Sequence, residues 1–357
     1  MSFETISTKE HAILHCLLKK ESLSSSDIRE QLLGNGAPVS PATVKRALSH
    51  LSDIGMIRSK GTGRATTYRI LVPGRIFSNI DARAYCETEP DRRFGSAGYN
   101  FELFPDMPAA LFSPDEIIAL ESTSAEYRKR TRDIPLDIEK KELERLIIEL
   151  SWKSSKIEGN TYTILDTEKL ILENKEASGH NPEEARMILN HKNAFTFVRE
   201  QSDRFRTPTR ADIEELHRII VADLNVEFGL REKPVGITGS KYRPLDTIYQ
   251  IREGLEALLA AIAHAATPFD KTLLAILGMS YLQPFDDGNK RTARLLGNAI
   301  LLAYGCAPLS YRSVEEDAYR EATLVFYELN SAIPMKHIFI DQYDFAARNY
   351  LVKRKGN

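Results

Sequence analysis

Apolar residues along this chain recur mostly at the spacing of a helix, with one early stretch that alternates instead. Ala12, Ile13, Cys16 and Leu17 fall on one face of a first helix, with Thr8 placed to cap it. Ile28, Leu32 and Leu33 give a second, short helix after the polar run SLSSSD, and LGNGAP breaks it. The third opens with Ser40 as cap and Pro41 at its first position, both favoured there. Its Val44, Ala47, Leu48, Leu51 and Ile54 face inward, leaving Thr43, Lys45, Arg46, Ser49 and His50 outward. MIRSKGTGRATTYRIL then reads as two short strands around a basic, glycine-containing turn.

From Pro73 to about Phe112 the period disappears among scattered aromatics, Gly and Pro, as in a linker or an arm packed on a larger body. Beyond Pro114 nearly every segment is helical, for example Ile138 to Ser155, Pro182 to Glu200, Thr209 to Leu224 and Ile251 to Ala265. Thr209 with Asp212 three residues on forms a start of the capping-box kind. One exception, KPVGITGSKYRPL, predicts a hairpin in which Val235, Ile237 and Tyr242 flank a Thr-Gly-Ser turn. The pattern divides the chain into a small domain over 1–75, an arm over 76–112 and a mainly α body over 113–350.

Charge sharpens that division. Residues 1–75 carry 11 Lys and Arg against 6 Asp and Glu, a balance of +5, whereas the remainder has 37 against 44, a balance of −7. A basic small domain on an acidic body directs attention to nucleic acid. Three short helices followed by a basic hairpin resemble a winged helix-turn-helix domain. That resemblance implies that Thr43, Lys45, Arg46 and His50 approach the major groove of DNA while Arg58, Lys60 and Arg64 meet phosphates. With so few phosphate contacts per copy, specific recognition calls for a homodimer. Three scattered cysteines, no apolar leader and no long uncharged apolar run predict a cytoplasmic protein without a membrane span.

The most informative stretch is LQPFDDGNKRTARLL, residues 282–296, which lies between two runs apolar enough to be core helices. Charges there must be solvated, paired or bound to something. Pro284 stops the first helix, and the second begins near Gly288 and Asn289, where free backbone N–H groups attract anions. Lys290, Arg291 and Arg294 sit in the first turns of that helix, the end where cations are disfavoured unless a polyanion binds. Asp286 and Asp287 just before could hold Mg²⁺ against phosphate oxygens. Residue chemistry alone reaches a metal-assisted phosphate site.

QPFDDGNKRTAR, residues 283–294, resembles the signature of the Fic family, His-Pro-Phe-x-Asp/Glu-Gly-Asn-(Gly or Lys)-Arg-x-x-Arg, at every defined position but the first. GLREKPVGI, residues 229–237, is similar to the segment leading into that family's flap, and SSKIEG, residues 154–159, to its inhibitory motif. The resemblance implies a Fic-type helical bundle with a β-hairpin flap over 233–244. It implies Mg-ATP as ligand, with Asp287 on the Mg²⁺, Gly288, Asn289 and Lys290 around the phosphates, and Arg291 and Arg294 on the β- and γ-phosphates. Asn289 and Arg291 would also serve the transfer step. Val235, Gly236, Ile237 and Tyr242 of the flap would pin a segment of a protein target by strand addition, its hydroxyl in line with the α-phosphate. Ser154, Glu158 and Gly159 would restrain the site, Glu158 pairing with Arg294 in place of the γ-phosphate.

Gln283 departs from this pattern. The family's His takes the proton from the attacking hydroxyl, and imidazole suits that because it titrates near neutral pH. An amide orients a hydroxyl but accepts no proton in that range. Two expectations follow: a DNA-binding regulator whose Fic body binds Mg-ATP with weak or lost AMP transfer, or an autoinhibited protein adenylyltransferase working without its usual base.

Overall fold

The computed structural model describes residues 6–34, 36 and 39–352, except for the side chain of Arg64. Two units emerge. The first takes in the chain up to Leu111 together with Ile237–Arg243 and Glu321–Pro334, and the second holds Phe112–Gly236, Pro244–Arg320 and the chain from Met335 onward.

In the first unit, α1 spans Thr8–Lys19, but Ser7 rather than Thr8 caps it. Glu10 explains the choice, because its carboxylate accepts from Ser7 N–H while the Ser7 hydroxyl accepts from Glu10 N–H. A cap at Thr8 would place His11 in that reciprocal position, where it offers no carboxylate. A short β1, Leu23–Ser24, precedes α2 (Ser25–Gly34) and α3 (Pro41–Asp53), and Ser40 caps α3 by accepting from Thr43 N–H. The expected hairpin is β2 (Ile57–Lys60) and β3 (Thr67–Ile70), and β1 joins it to make a three-stranded antiparallel sheet in the order β1-β3-β2. Ile13, Leu17, Ile28, Val44, Leu48, Leu51 and Ile70 form the core, at 3% exposure or less.

The stretch without period contains two five-residue helices, α4 (Val72–Ile76) and α5 (Ala82–Cys86). Five residues make little more than one turn, too few for an apolar stripe to repeat. Tyr85, Val325 and Leu329 complete the same core. Residues 233–244, expected as a hairpin, form no strand. The chain turns at Gly239 with Ser240 N–H donating to Ile237 O, and Arg243 N–H donates to Ala97 O at 2.8 Å instead of to a partner strand. Val235 and Ile237 do alternate in burial with Gly236, but beyond the turn the segment bonds to an arm distant in sequence and not to itself as a hairpin.

The second unit contains α6 (Pro114–Thr131), α7 (Leu136–Ile157), α8 (Ile164–Glu173), α9 (Pro182–Glu200), α10 (Arg210–Ile220), α11 (Ile248–His264), α12 (Pro268–Leu282) and α13 (Asn289–Ala303). Then come α14 (Glu316–Leu329), divided between the units after Arg320, and α15 (Ile333–Asn349), divided after Pro334. Ser113, Thr163, Asn181, Thr209 and Thr267 each begin a helix with a full capping box. Each cap stabilises its helix by about 1 kcal/mol. Helix α10 stops four residues short of the Leu224 its period suggested, because the Asn190 amide gathers Ile220 O and Ala222 O and holds a bend there. Helices α12 and α13 are buried almost throughout, as their composition required. Among the described residues no helix is long and apolar enough to cross a membrane.

Candidate phosphate-binding site

The loop between α12 and α13 is fixed from several sides. Gln283 ends α12 in the left-handed region at φ 48°, and its carbonyl accepts from Arg231 Nε at 2.7 Å. Arg231 N–H donates to Pro284 O at 3.0 Å, and its guanidinium also reaches Lys233 O and Leu245 O. One buried guanidinium thus gathers three carbonyls and holds an unfavourable backbone conformation in place. Phe285 is fully buried and stacks flat on the His217 ring, with centroids 3.7 Å apart. His217 Nε2 lies 2.9 Å from Asp287 O, and burial pushes its pKa down to about 4, so the neutral ring donates that bond. The Asn289 amide accepts from Phe285 N–H and donates to Phe285 O, closing the loop on itself.

Gly288 caps α13 at φ 79°, and a Cβ there would stand 3.1 Å from Val221 Cγ1. Both facts call for glycine. With Asn289's side chain committed to the loop, what the helix start presents to a ligand is its backbone N–H groups.

Three cations follow. Arg294 is fully buried, donates from Nε to Ser154 Oγ and from Nη2 to Ser154 O, both at 2.8 Å, and has Nη1 2.9 Å from Glu158 Oε1. Lys290 Nζ lies 3.4 Å from the other Glu158 oxygen. Burial alone would raise the Glu158 pKa, but the charges of Arg294 and Lys290 outweigh it and hold the carboxyl below its usual range. Arg291 is 2% exposed, donates from Nη2 to Asp287 Oδ2 at 2.9 Å, and has no partner for Nη1 among the described residues. The SSKIEG segment, at the C-terminal end of α7, is therefore brought onto the signature helix. Gly159 lies just past that end at φ 98°, and Arg320 fastens it by donating twice to Ile157 O.

These residues suit a magnesium-bound polyphosphate. Arg291 Nη1 is buried without an acceptor among the described residues, and the exposed Asp287 carboxylate stands at the same helix start. No cluster of three metal-ligating side chains exists among the described residues, and Mg²⁺ commonly completes its shell with phosphate oxygens and water.

Gln283 stands where the resembling signature has its histidine. Gln283 is 9% exposed and turns its amide back to donate to Ser280 O at 2.7 Å. His217 bonds through Nε2 under the loop, and its Nδ1 is buried with no partner among the described residues. His191 is fully buried with neither ring nitrogen partnered among the described residues, and burial followed by the Arg294 and Arg291 charges drives its pKa well below the ordinary value. His264 ends α11, on a different element.

The other residues singled out from sequence lie as follows. Lys45, Arg46, Arg58 and Lys60 are exposed, and the Thr43 hydroxyl bonds that of Ser40. The His50 ring bonds the Glu10 carboxylate at 2.5 Å, so the outward face is narrower than the period implied. The side chain of Arg64 lies outside the described residues. Val235 and Ile237 are half-buried and Gly236 is exposed, whereas Tyr242 is 1% exposed and stacks on Tyr327. The support that Arg231 and His217 give the loop was not legible in the sequence. Arg231 was legible only as part of GLREKPVGI, and nothing in the sequence signals that His217 packs against a phenylalanine 68 positions away.

A helix start with buried cations and a winged-helix module are the class that fold and site define, and comparison with known proteins makes it particular. Residues 207–301 match the Fic/DOC family, and residues 6–87 match the penicillinase repressor family. The chain thus carries a Fic/DOC domain in its C-terminal region behind a repressor-like winged-helix domain. The protein adenylyltransferase Fic of Nematostella vectensis is 28% identical over 174 residues, 48% of this chain and 41% of that protein. Its Drosophila melanogaster counterpart is 28% identical over 167 residues, 46% of this chain and 34% of that one. The matched region spans less than half the length of these relatives. Among solved structures, a Fic domain containing signalling protein from Bacteroides thetaiotaomicron superposes with a TM-score of 0.54 at 19% identity, over 64% of this chain and 94% of that one. A Fic family protein from Desulfovibrio desulfuricans gives 0.54 at 23%, over 66% and 74%. These likenesses concern the fold.

Proposed function

We propose that the protein is a DNA-binding regulator whose Fic domain binds Mg-ATP and transfers AMP weakly or not at all. The observation that carries this reading is the pairing of buried Arg291 and Arg294 at the start of α13 with Gln283, whose amide donates to the backbone. In this reading the start of α13 holds the phosphates with Gly288, Asn289 and Lys290, and Arg291 and Arg294 neutralise the terminal ones. Asp287 would hold Mg²⁺, which when bound screens phosphate charge and orients the chain of phosphates. Glu158 competes with the γ-phosphate for Arg294, so the restrained state is the resting one. Lys45, Arg46, Arg58 and Lys60 meet DNA, a homodimer supplies enough contacts for specificity, and the protein works in the cytoplasm.

One observation favours the second reading, an autoinhibited adenylyltransferase acting on a protein hydroxyl. Ser154 and Glu158 both hold Arg294, as a restraint would, and a restraint is of use where there is activity to restrain. Loss of a general base lowers rate by roughly 10²–10⁴, and transfer at phosphorus rests largely on positioning and charge, so a slow enzyme is consistent with Gln283. The two readings separate in a transfer assay on Glu158→Gly. ATP binding without label on protein supports the regulator, and label on protein supports the enzyme.

A further inference from the structure

Within the first unit, residues 237–243 are held by the arm that follows the winged helix. Arg243 N–H donates to Ala97 O at 2.8 Å, the Arg93 guanidinium donates to Gly239 O, and the Lys241 ammonium donates to Arg93 O. Glu328 ties the two segments together. Its carboxylate accepts from the Ser240 hydroxyl at 2.7 Å, stands 3.2 Å from Arg93 Nη1, and lies 2.7 Å from the Tyr85 hydroxyl, while its backbone carbonyl accepts from Ser96 N–H at 2.9 Å. The side chains of Arg93 and Glu328 are 3% and 0% exposed. Between them the arm passes so close that a Cβ on Gly95, at φ 113°, would stand 2.6 Å from Glu328 O. Phe94, the next residue back, meets α1, with its ring edge-on to His15 at 5.2 Å and the Lys19 ammonium 5.4 Å away.

We propose that Arg93–Ala97 is an internal pseudo-target. It occupies the backbone edge of the flap on which a protein segment would add, and a partner docks there only by displacing it. This rests on reading residues 233–244 as a target-docking flap. The arm's own contacts define the partner: an extended segment with a basic residue two positions before a glycine, the cation reaching Gly239 O and Glu328, the glycine passing where no Cβ fits. The arm residue between those two anchors on α1, so displacement at the flap also frees a face of the winged-helix domain.

Hydrogen exchange of the full-length protein, without nucleotide or DNA, tests this directly. Gly95→Ala should raise exchange at the Arg243 amide by about tenfold or more and leave the buried amides of α12 unchanged. A peptide of residues 91–98 added in trans should restore protection in that variant and have no effect on the wild type. Lys241→Ala, a half-buried position that removes only the bond to Arg93 O, should raise the same exchange several-fold, and it decides the matter if Gly95→Ala does not fold. Unchanged exchange at Arg243 in Lys241→Ala, or a peptide that fails to protect a folded Gly95→Ala protein, would overturn the proposal. Because no nucleotide enters the assay, a failed nucleotide reading leaves these outcomes unaffected. Protection by the peptide together with a Fic domain that binds no ATP would retire only the flap's catalytic purpose.

Discussion

Two buried arginines, each paired with a glutamate, do different work in this protein. Among the described residues the Glu158 carboxylate has only cations for partners, Arg294 at 2.9 Å and Lys290 at 3.4 Å, beside a third, Arg291, whose Nη1 has no acceptor among them. A phosphate could take its place without leaving a buried group unpaired. Glu328 instead collects hydroxyls from two other segments, Tyr85 and Ser240, along with Arg93. A carboxylate held by cations alone has the make-up expected of a switch, whereas one that gathers several chain segments has that of a fastener. The distinction lies in the neighbours, since the pairs themselves are alike.

The largest effect should come from restoring the base and releasing the switch together. Gln283→His with Glu158→Gly is expected to transfer AMP, at least to the protein itself, at roughly 10²–10⁴ times the rate of Glu158→Gly alone, measured with α-labelled ATP. Next comes stability. Arg93→Ala strands Glu328 in the core and should cost about 3–5 kcal/mol in a denaturant titration. Glu158→Gly should cost distinctly less, because Arg294 keeps both bonds to Ser154, and should tighten ATP about tenfold by calorimetry. Equal losses of stability would erase the distinction between switch and fastener.

Acid offers a finer test. The folded-state pKa of Glu158 is lowered, so the stability it contributes is fully present above its ordinary value of 4.5 and is lost as pH falls through the lowered one. The stability difference between wild type and Glu158→Gln should hold steady from neutrality to about pH 5 and close only below it. A gap that closes near pH 6 would contradict the pairing. The smallest effects belong to the winged helix. Arg46→Ala should weaken an operator complex several-fold, and Lys60→Ala should weaken all DNA alike and reduce the salt slope by about one. Unchanged operator binding in Arg46→Ala would remove α3 from its role as reader.

Much of this was legible in the sequence, for particular reasons. Long amphipathic helices showed their period, and Thr209 and Ser40 marked their starts. The charged loop between two apolar runs advertised a site because charges so placed need partners, and Glu158 does meet Arg294. What remained hidden depends on tertiary placement. Helices α4 and α5 are too short to repeat a pattern. Residues 233–244 alternate like strands yet bond to an arm distant in sequence. His50 faces outward by period but is taken by Glu10, and Arg231 and His217 support the loop from elements whose approach no local pattern encodes.

The most direct test is to incubate the unaltered protein with Mg²⁺ and α-labelled ATP, following bound nucleotide and transferred label together. Saturable ATP binding with no label on protein is the expected result. Label appearing on protein at an appreciable rate, with Gln283 in place, would contradict it and make the chain an enzyme.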